Sequence, residues 1–105
     1  MFARLTLIKI AAENAENLKR VYNDEIVPAV RSQKGNIGCW LLEPTNNADE
    51  YISLTEWMSS TEANAYEASG MYRTLVEKIK DYYISKPVLK TYNIADIKAS
   101  ATINL

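Results

Sequence analysis

Three strand-like segments of this chain carry apolar side chains on both of their faces, and only two helical segments are available to cover them. Successive side chains of a strand point to opposite faces. The first segment carries Leu5 and Leu7 on one face and Ile8 and Ile10 on the other. The third carries Ile52 and Leu54 against Tyr51 and Trp57, and the second carries Trp40 and Leu42 against Ile37 and Leu41. Two helices cover only one face of a sheet. We therefore expect a second copy of the chain to cover the other face, which predicts a homodimer through the open sheet face.

The predicted elements follow the order β-α-β-β-α-β. The four strands are Phe2 to Ile10, Ile37 to Glu43, Tyr51 to Met58 and Val88 to Ile97, and Pro44 to Asp49 forms a hairpin-type loop. Between them lie a helix from Asn14 towards Gly35 and a helix from Ser59 to Tyr83 that is interrupted near Gly70. This order predicts an α+β fold, a ferredoxin-like sandwich with an antiparallel sheet and the strand order 4-1-3-2.

Local signals mark the ends of these helices. Asn14 is a candidate N-cap of the first helix, and Gly35 is expected to end it. Pro28 lacks the N–H that would bond to the carbonyl of residue 24, so we expect a kink in the last turns. Ser59 followed by Glu62 resembles a capping box at the start of the second helix.

Length and charge restrict the classes of function. A chain of 105 residues is long enough for one domain, expected to span 1–105. Its net charge of -1 comes from 12 basic and 13 acidic residues spread along the chain, so neither a nucleic-acid partner nor a membrane partner is expected. The first residues lack the pattern of a signal peptide, so a cytoplasmic location is the expectation.

The chain contains no histidine and a single cysteine, Cys39. One cysteine excludes an intrachain disulfide, and without histidine the thiol lacks the usual partner that activates a nucleophile, so we expect a buried inert thiol. Zinc sites of the Cys/His type are excluded by the same count. No Gly-rich phosphate loop is present, so we expect neither a metal nor a cofactor site.

Several short segments resemble one known family in order and spacing. They are Glu25-Ile-Val-Pro28, Gln33-Lys-Gly35, Leu54-Thr-Glu-Trp57, Ser60-Thr-Glu-Ala63, Tyr66 and Ser69-Gly-Met-Tyr72. Over roughly residues 2 to 95 the chain resembles the antibiotic biosynthesis monooxygenase (ABM) family of dimeric α+β barrel proteins. The resemblance implies a dimeric barrel and either cofactor-free oxidation of an aromatic substrate or no catalysis at all.

The functional residues of the family are only partly present. Its haem-degrading branch uses a helix histidine and a first-strand asparagine, and the matching residues here are Val76 and Ala3, so haem degradation is not expected. Its polyketide monooxygenases use an asparagine, a tryptophan and a tyrosine. Trp57 matches the tryptophan, whereas Ser53 and Ala63 stand at or near the other two positions.

The aromatic side chains are the candidate site residues. We expect Tyr22, Ser53, Trp57, Tyr66 and Tyr72 to bind a small aromatic ligand, with Trp57, Tyr66 and Tyr72 as the catalytic candidates. Each aromatic residue has an alternative role in core packing. The corresponding functions are a cofactor-free monooxygenase acting on a phenol or quinol and, alternatively, a non-catalytic binding or structural homodimer.

Arg4 and Glu56 form one further candidate pair. In the expected strand order the first and third strands are antiparallel neighbours, so the start of one lies beside the end of the other. This arrangement predicts that Arg4 and Glu56 face each other on the dimer side of the sheet.

Overall fold

The computed structural model describes residues 1–95 and confirms the order β-α-β-β-α-β. The strands are β1 Phe2–Ile8, β2 Asn36–Leu42, β3 Tyr51–Trp57 and β4 Val88–Asn93, and the α-helices are α1 Ala15–Val21, α2 Val27–Arg31, α3 Ser60–Glu67 and α4 Gly70–Ile79. Short 3₁₀ turns lie at Ala12–Asn14 and Lys80–Tyr82. The fourth strand ends before its predicted limit, and residues 96 and 97 lie outside the described residues.

All strand pairs in the single sheet are antiparallel, and the strands lie side by side in the order β2-β3-β1-β4. This is the predicted order 4-1-3-2. In the central pair, Phe2 lies opposite Trp57 and Leu5 opposite Leu54. The chain is therefore an α+β sandwich with helices on one face of an antiparallel sheet.

The first helical segment is interrupted before Pro28. Between α1 and α2 lies one π turn, Tyr22–Ile26, in which the Val27 N–H bonds to the Tyr22 carbonyl. Because Pro28 cannot supply an N–H to the carbonyl of residue 24, the wider turn is the form that the expected kink takes. α1 begins directly after Asn14, but the Asn14 side chain makes no capping hydrogen bond, so that predicted cap is wrong.

Serine hydroxyls cap both later helices. Ser59 Oγ accepts from the Thr61 N–H at 3.2 Å and also contacts the Glu62 carboxylate, as expected of a capping residue. Ser69 Oγ accepts from the Tyr72 N–H at 3.4 Å and starts α4. The predicted interruption near Gly70 is therefore confirmed, since α3 ends at Glu67 and α4 begins at Gly70.

The sheet face under the helices holds the core and, unexpectedly, Arg4. Arg4 is paired in register with Thr55 and is only 5% exposed, whereas Glu56 is paired with Ala3 on the opposite face. The predicted contact of Arg4 with Glu56 is therefore wrong. The cause is strand alternation: Arg4 and Ile8 are four residues apart and must share a face, and Ile8 is buried under the helices.

The opposite sheet face has no helix over it within residues 1–95. Its apolar side chains, which share this face by register, are Leu5, Leu7, Trp40, Leu42, Ile52, Leu54, Val88 and Tyr92. We call this the open face. Trp40 is 46% exposed and its ring lies flat over Gly38, where an added Cβ would come within 2.1 Å of the ring.

Gly35 is the one described residue with a left-handed backbone, with φ of 81°. We predict that Gly35→Ala lowers the free energy of unfolding by ~1–3 kcal/mol, because an L side chain is strained there. The new Cβ would also lie 2.3 Å from Glu62 Cγ. Urea titration followed by tryptophan fluorescence measures the change.

Gly70→Ala is the matched control. It stands at the first position of α4 with no atom within 4 Å of an added Cβ, so it should leave stability unchanged or raise it. Equal stability of Gly35→Ala and the unsubstituted protein would contradict the strain argument.

Candidate functional site

Three aromatic rings form a ladder between the sheet and the later helices. Trp57 stacks on Tyr66 with centroids 5.1 Å apart, and Tyr66 meets Tyr72 edge-on at 5.5 Å. Trp57 is completely buried, and its indole N–H donates to Thr55 Oγ1 at 2.9 Å. Because offset and edge-on contacts are the favoured aromatic geometries, the ladder holds Tyr66 and Tyr72 in fixed positions above the sheet.

Tyr22 reaches the same layer from the first helical segment. Its hydroxyl donates to the Trp40 carbonyl at 3.1 Å and lies 2.7 Å from Ser53 Oγ and 3.2 Å from Cys39 Sγ. With the single phenol proton given to Trp40, the Ser53 hydroxyl donates to Tyr22. The remaining lone pairs of Ser53 Oγ can then accept a hydrogen bond from a ligand.

Two adjoining cavities lie between the sheet and the helices. The larger measures about 100 Å³ and is lined by Thr6, Ile8, Tyr22, Ile26, Ser53, Tyr66, Tyr72, Leu75, Val76, Ile79, Tyr83 and Pro87. The smaller measures about 50 Å³ and shares Thr6, Ile26, Ser53, Tyr66 and Tyr72 with it, adding Arg4, Val30 and Thr55. Since an apolar cavity of roughly 150 Å³ holds one benzene ring, neither cavity has room for a ligand larger than a single aromatic ring.

Arg4 brings a positive charge to the wall of the smaller cavity. Its Nη2 lies 3.1 Å from Glu67 Oε1, and its guanidinium carbon lies 5.6 Å from the centre of the Tyr72 ring. These contacts are those of an ion pair and of a cation–π interaction. Arg4 Nε is buried and has no hydrogen-bond partner among the described residues.

Three phenols of the larger cavity, those of Tyr22, Tyr66 and Tyr83, are neutral at physiological pH. Burial raises the pKa of Tyr22 and of Tyr66 well above the usual range, and burial raises the pKa of Tyr83 to about 12. Burial also raises the pKa of the Cys39 thiol, consistent with an inert side chain. These groups can donate or accept hydrogen bonds, but they cannot serve as a base near pH 7.

The structure brings together four of the five predicted site residues. Tyr22, Ser53, Tyr66 and Tyr72 line the larger cavity. Trp57 lines neither cavity: it stacks on Tyr66 and donates its N–H to Thr55.

Sequence reasoning missed three polar groups of the site. Thr6 and Thr55 line the cavities, and Arg4 was placed on the wrong face. The two-residue periodicity of a strand would have identified them, because Arg4 and Thr6 share a face with Ile8, and Thr55 shares a face with Trp57.

Residues 1–95 contain neither a cluster of metal-ligating side chains nor a membrane-spanning helix. In this part of the chain, no three His, Cys, Asp or Glu side chains lie close enough to hold a metal ion. None of its helices has the length and apolar character needed to span a bilayer.

Alkaline pH should destabilise the protein through its buried phenols. An unfolded tyrosine releases its proton near pH ~10, whereas folded Tyr83 holds its proton to about 12. The folded state therefore binds more protons in this window, and the free energy of unfolding falls as pH rises, by ~1.4 kcal/mol per pH unit for each such proton. Urea titrations between these pH values measure the slope.

Tyr83→Phe tests the assignment of one of these protons. The Tyr83 hydroxyl has no hydrogen-bond partner among the described residues, so the variant should fold, and its slope should be smaller by one proton. Identical slopes for the two proteins would contradict the assignment.

Solved structures of similar shape share this fold. A protein of Nitrosomonas europaea, named as a candidate antibiotic biosynthesis monooxygenase, superposes with a TM-score of 0.77 at 14% identity over 91% of this chain and 100% of its own. A candidate of the same name from Deinococcus radiodurans gives 0.76 at 16% identity, covering 100% of this chain and 98% of its own. A point mutant of MhuD with two manganese protoporphyrin IX molecules per active site gives 0.74 at 19%, covering 90% and 95%.

At these identities the structural likeness establishes the fold alone. Among curated proteins, no sequence matches this chain. Residues 1–78, which include β1 to β3 and most of α4, match the family described as antibiotic biosynthesis monooxygenase. The match covers well over half of the sequence, and the chain belongs to the antibiotic biosynthesis monooxygenase family.

Proposed function

We propose that this protein is a cofactor-independent monooxygenase that oxidises a single-ring phenol or quinol with O₂. The observation that carries the proposal is a pair of adjoining cavities between sheet and helices, walled by tyrosine rings and by hydroxyl groups. Membership of the antibiotic biosynthesis monooxygenase family supports the reaction class.

The reaction needs no electron source beyond its substrate. A phenol with a free para position and O₂ give a para-quinone and water: the O–H and para C–H bonds break, one oxygen atom forms the new carbonyl, and the other leaves as water with both protons. A hydroquinone and O₂ give a hydroxyquinone and water in the same way, with one ring C–H bond replaced by a C–O bond. The four electrons taken up by O₂ come from the phenol. The protein contributes orientation, exclusion of water and hydrogen bonds to the ring oxygens.

The residues of the cavity divide these roles. Tyr66 and Tyr72 offer their rings as packing surfaces and their hydroxyls, which have no recorded partner among the described residues, to ligand oxygens. Ser53 Oγ accepts from a ligand hydroxyl, while Tyr22 holds that serine in place at 2.7 Å. Trp57 acts through Tyr66 and Thr55, which it orients.

A haem cofactor does not suit these residues. The chain has no histidine to ligate iron, and Val76 lines the cavity at the position that the family resemblance assigns to that ligand. Two cavities of about 100 and about 50 Å³ are also far too small for a porphyrin. The porphyrins bound to MhuD therefore give no step for this chain.

The alternative proposal is a non-catalytic homodimer that binds a small molecule or serves a structural role. The cavity is small beside the roughly 300–1,000 Å³ of typical ligand sites, and the completely buried Trp57 is itself a core residue. Both proposals include a dimer through the open face. Its eight apolar side chains form the kind of continuous patch that monomers rarely leave exposed.

The dimer predicts a mass of twice 11.9 kDa in solution. Leu54→Lys places a charge in the middle of the open face and should give a monomer, because an unpaired buried charge costs several kcal/mol. Asn64→Lys, on the exposed side of α3, is the matched control and should leave the dimer intact. Light scattering after gel filtration measures each mass. A monomeric unsubstituted protein would contradict the dimer through the open face.

Oxygen uptake tests the catalytic proposal. With a panel of para-unsubstituted phenols and hydroquinones, we expect enzyme-dependent O₂ consumption and quinone absorbance. Tyr66→Phe and Tyr72→Phe keep the rings but lose a hydroxyl, so kcat/KM should fall ~3–10-fold for each.

Tyr82→Phe removes a hydroxyl outside both cavities and should leave these rates unchanged. Binding of a phenol, seen as a change in tryptophan fluorescence, without oxygen uptake would favour the non-catalytic alternative. Absence of both signals would reject a ligand site of either kind.

A further inference from the structure

Arg4 is a buried cation whose hydrogen-bonding capacity is largely unused. Its side chain is 5% exposed, and its one ion-pair partner, Glu67, is 40% exposed. Nη2 contacts that partner, while Nε is enclosed without any acceptor among the described residues. A buried, unsatisfied donor on a charged group costs free energy. A bound ligand that supplies an acceptor to the guanidinium would offset part of this cost.

The smaller cavity is the space from which a ligand can approach the Arg4 side chain. Because Nε itself is enclosed, the ligand would contact the terminal nitrogens of the guanidinium. Arg4 lines this cavity together with the hydroxyl-bearing residues Thr6, Ser53, Thr55 and Tyr66. Among all residues that line the two adjoining cavities, Arg4 is the only one with a formal charge. A ligand that is neutral everywhere would leave Glu67 as the one anionic partner of this charge among the described residues, whereas an anionic oxygen would add a second.

Glu67 does not already fill that role. It lies at the end of α3 on the wall of a surface groove, and it lines neither of the two cavities. Its carboxylate takes Nη2 from the solvent side, and the Tyr72 ring lies 5.6 Å from the guanidinium carbon. Glu67 therefore leaves the smaller cavity, which Arg4 lines, free for a ligand.

We infer that the ligand binds as an oxyanion, with a phenolate oxygen accepting from the Arg4 guanidinium. The inference rests on the proposed single-ring phenol and specifies its ionisation state. A neighbouring positive charge favours the ionised form of a bound phenol. The chain then needs no basic side chain in the cavity, because the phenol can lose its proton to solvent on binding.

The probe is 4-fluorophenol, whose ¹⁹F chemical shift reports binding and ionisation together. Bound to the unsubstituted protein, its ionisation midpoint should fall by about one pH unit or more, which is a tenfold shift towards phenolate. Arg4→Gln should abolish this shift and weaken binding at pH 8 by ~10-fold or more. Arg4→Lys keeps the charge without Nε–H and should retain part of the shift.

Glu67→Gln is the matched variant that separates ligand binding from a structural ion pair. It removes the competing carboxylate without touching the cavities, so the midpoint should stay the same or fall further. If Glu67→Gln raised the midpoint as Arg4→Gln does, the ion pair would be structural and the inference wrong. This comparison decides the question even where Arg4→Gln fails to fold, as checked by circular dichroism.

Neutral and carboxylate probes separate the remaining outcomes. Equal affinity for fluorobenzene and 4-fluorophenol, with no shift of the midpoint, would overturn the role of Arg4 and leave the single-ring cavity standing. Stronger binding of 4-fluorobenzoate would overturn the phenolate and identify a carboxylate as the anion. Failure of every ring to bind would reject the proposed function itself, and the inference with it.

Discussion

The burial of Trp57 determines which face of the sheet becomes the interior. Its ring is completely enclosed against Tyr66, so every second residue of β3 must also face the helices. Because β1 pairs with β3, the β1 residues opposite these positions, Arg4, Thr6 and Ile8, also face the helices. A slip of one residue would exchange the two faces, which explains why one large side chain controls the register of the sheet.

The fold was predictable because its signals are local and repeated. Apolar strand segments, the Ser59 cap and the glycine at position 70 each indicate an element without knowledge of its neighbours, and the strand order follows from the resulting β-α-β-β-α-β pattern. The π turn was only half predictable. Pro28 shows that a hydrogen bond is missing, but packing decides whether the helix bends or widens there.

The site was less predictable, since a cavity is space left over by side chains. Tyr66 and Tyr72 were found because aromatic rings are conspicuous, and Trp57 was assigned to the wall for the same reason. Its true position behind Tyr66 depends on the angle between α3 and the sheet. Arg4 was misplaced because a charge is expected on a surface, although its spacing from Ile8 already put it inside.

Trp40 belongs to both sides of the sheet at once. Its carbonyl accepts the hydroxyl proton of Tyr22 in the site, while its indole extends across Gly38 on the opposite surface. If a molecule in the site re-oriented Tyr22, the hydrogen bond to the Trp40 carbonyl would change, and a second copy packed on the indole in the proposed dimer would have the reverse effect. By thermodynamic reciprocity, any gain in self-association caused by occupancy must be matched by an equal gain in occupancy caused by self-association.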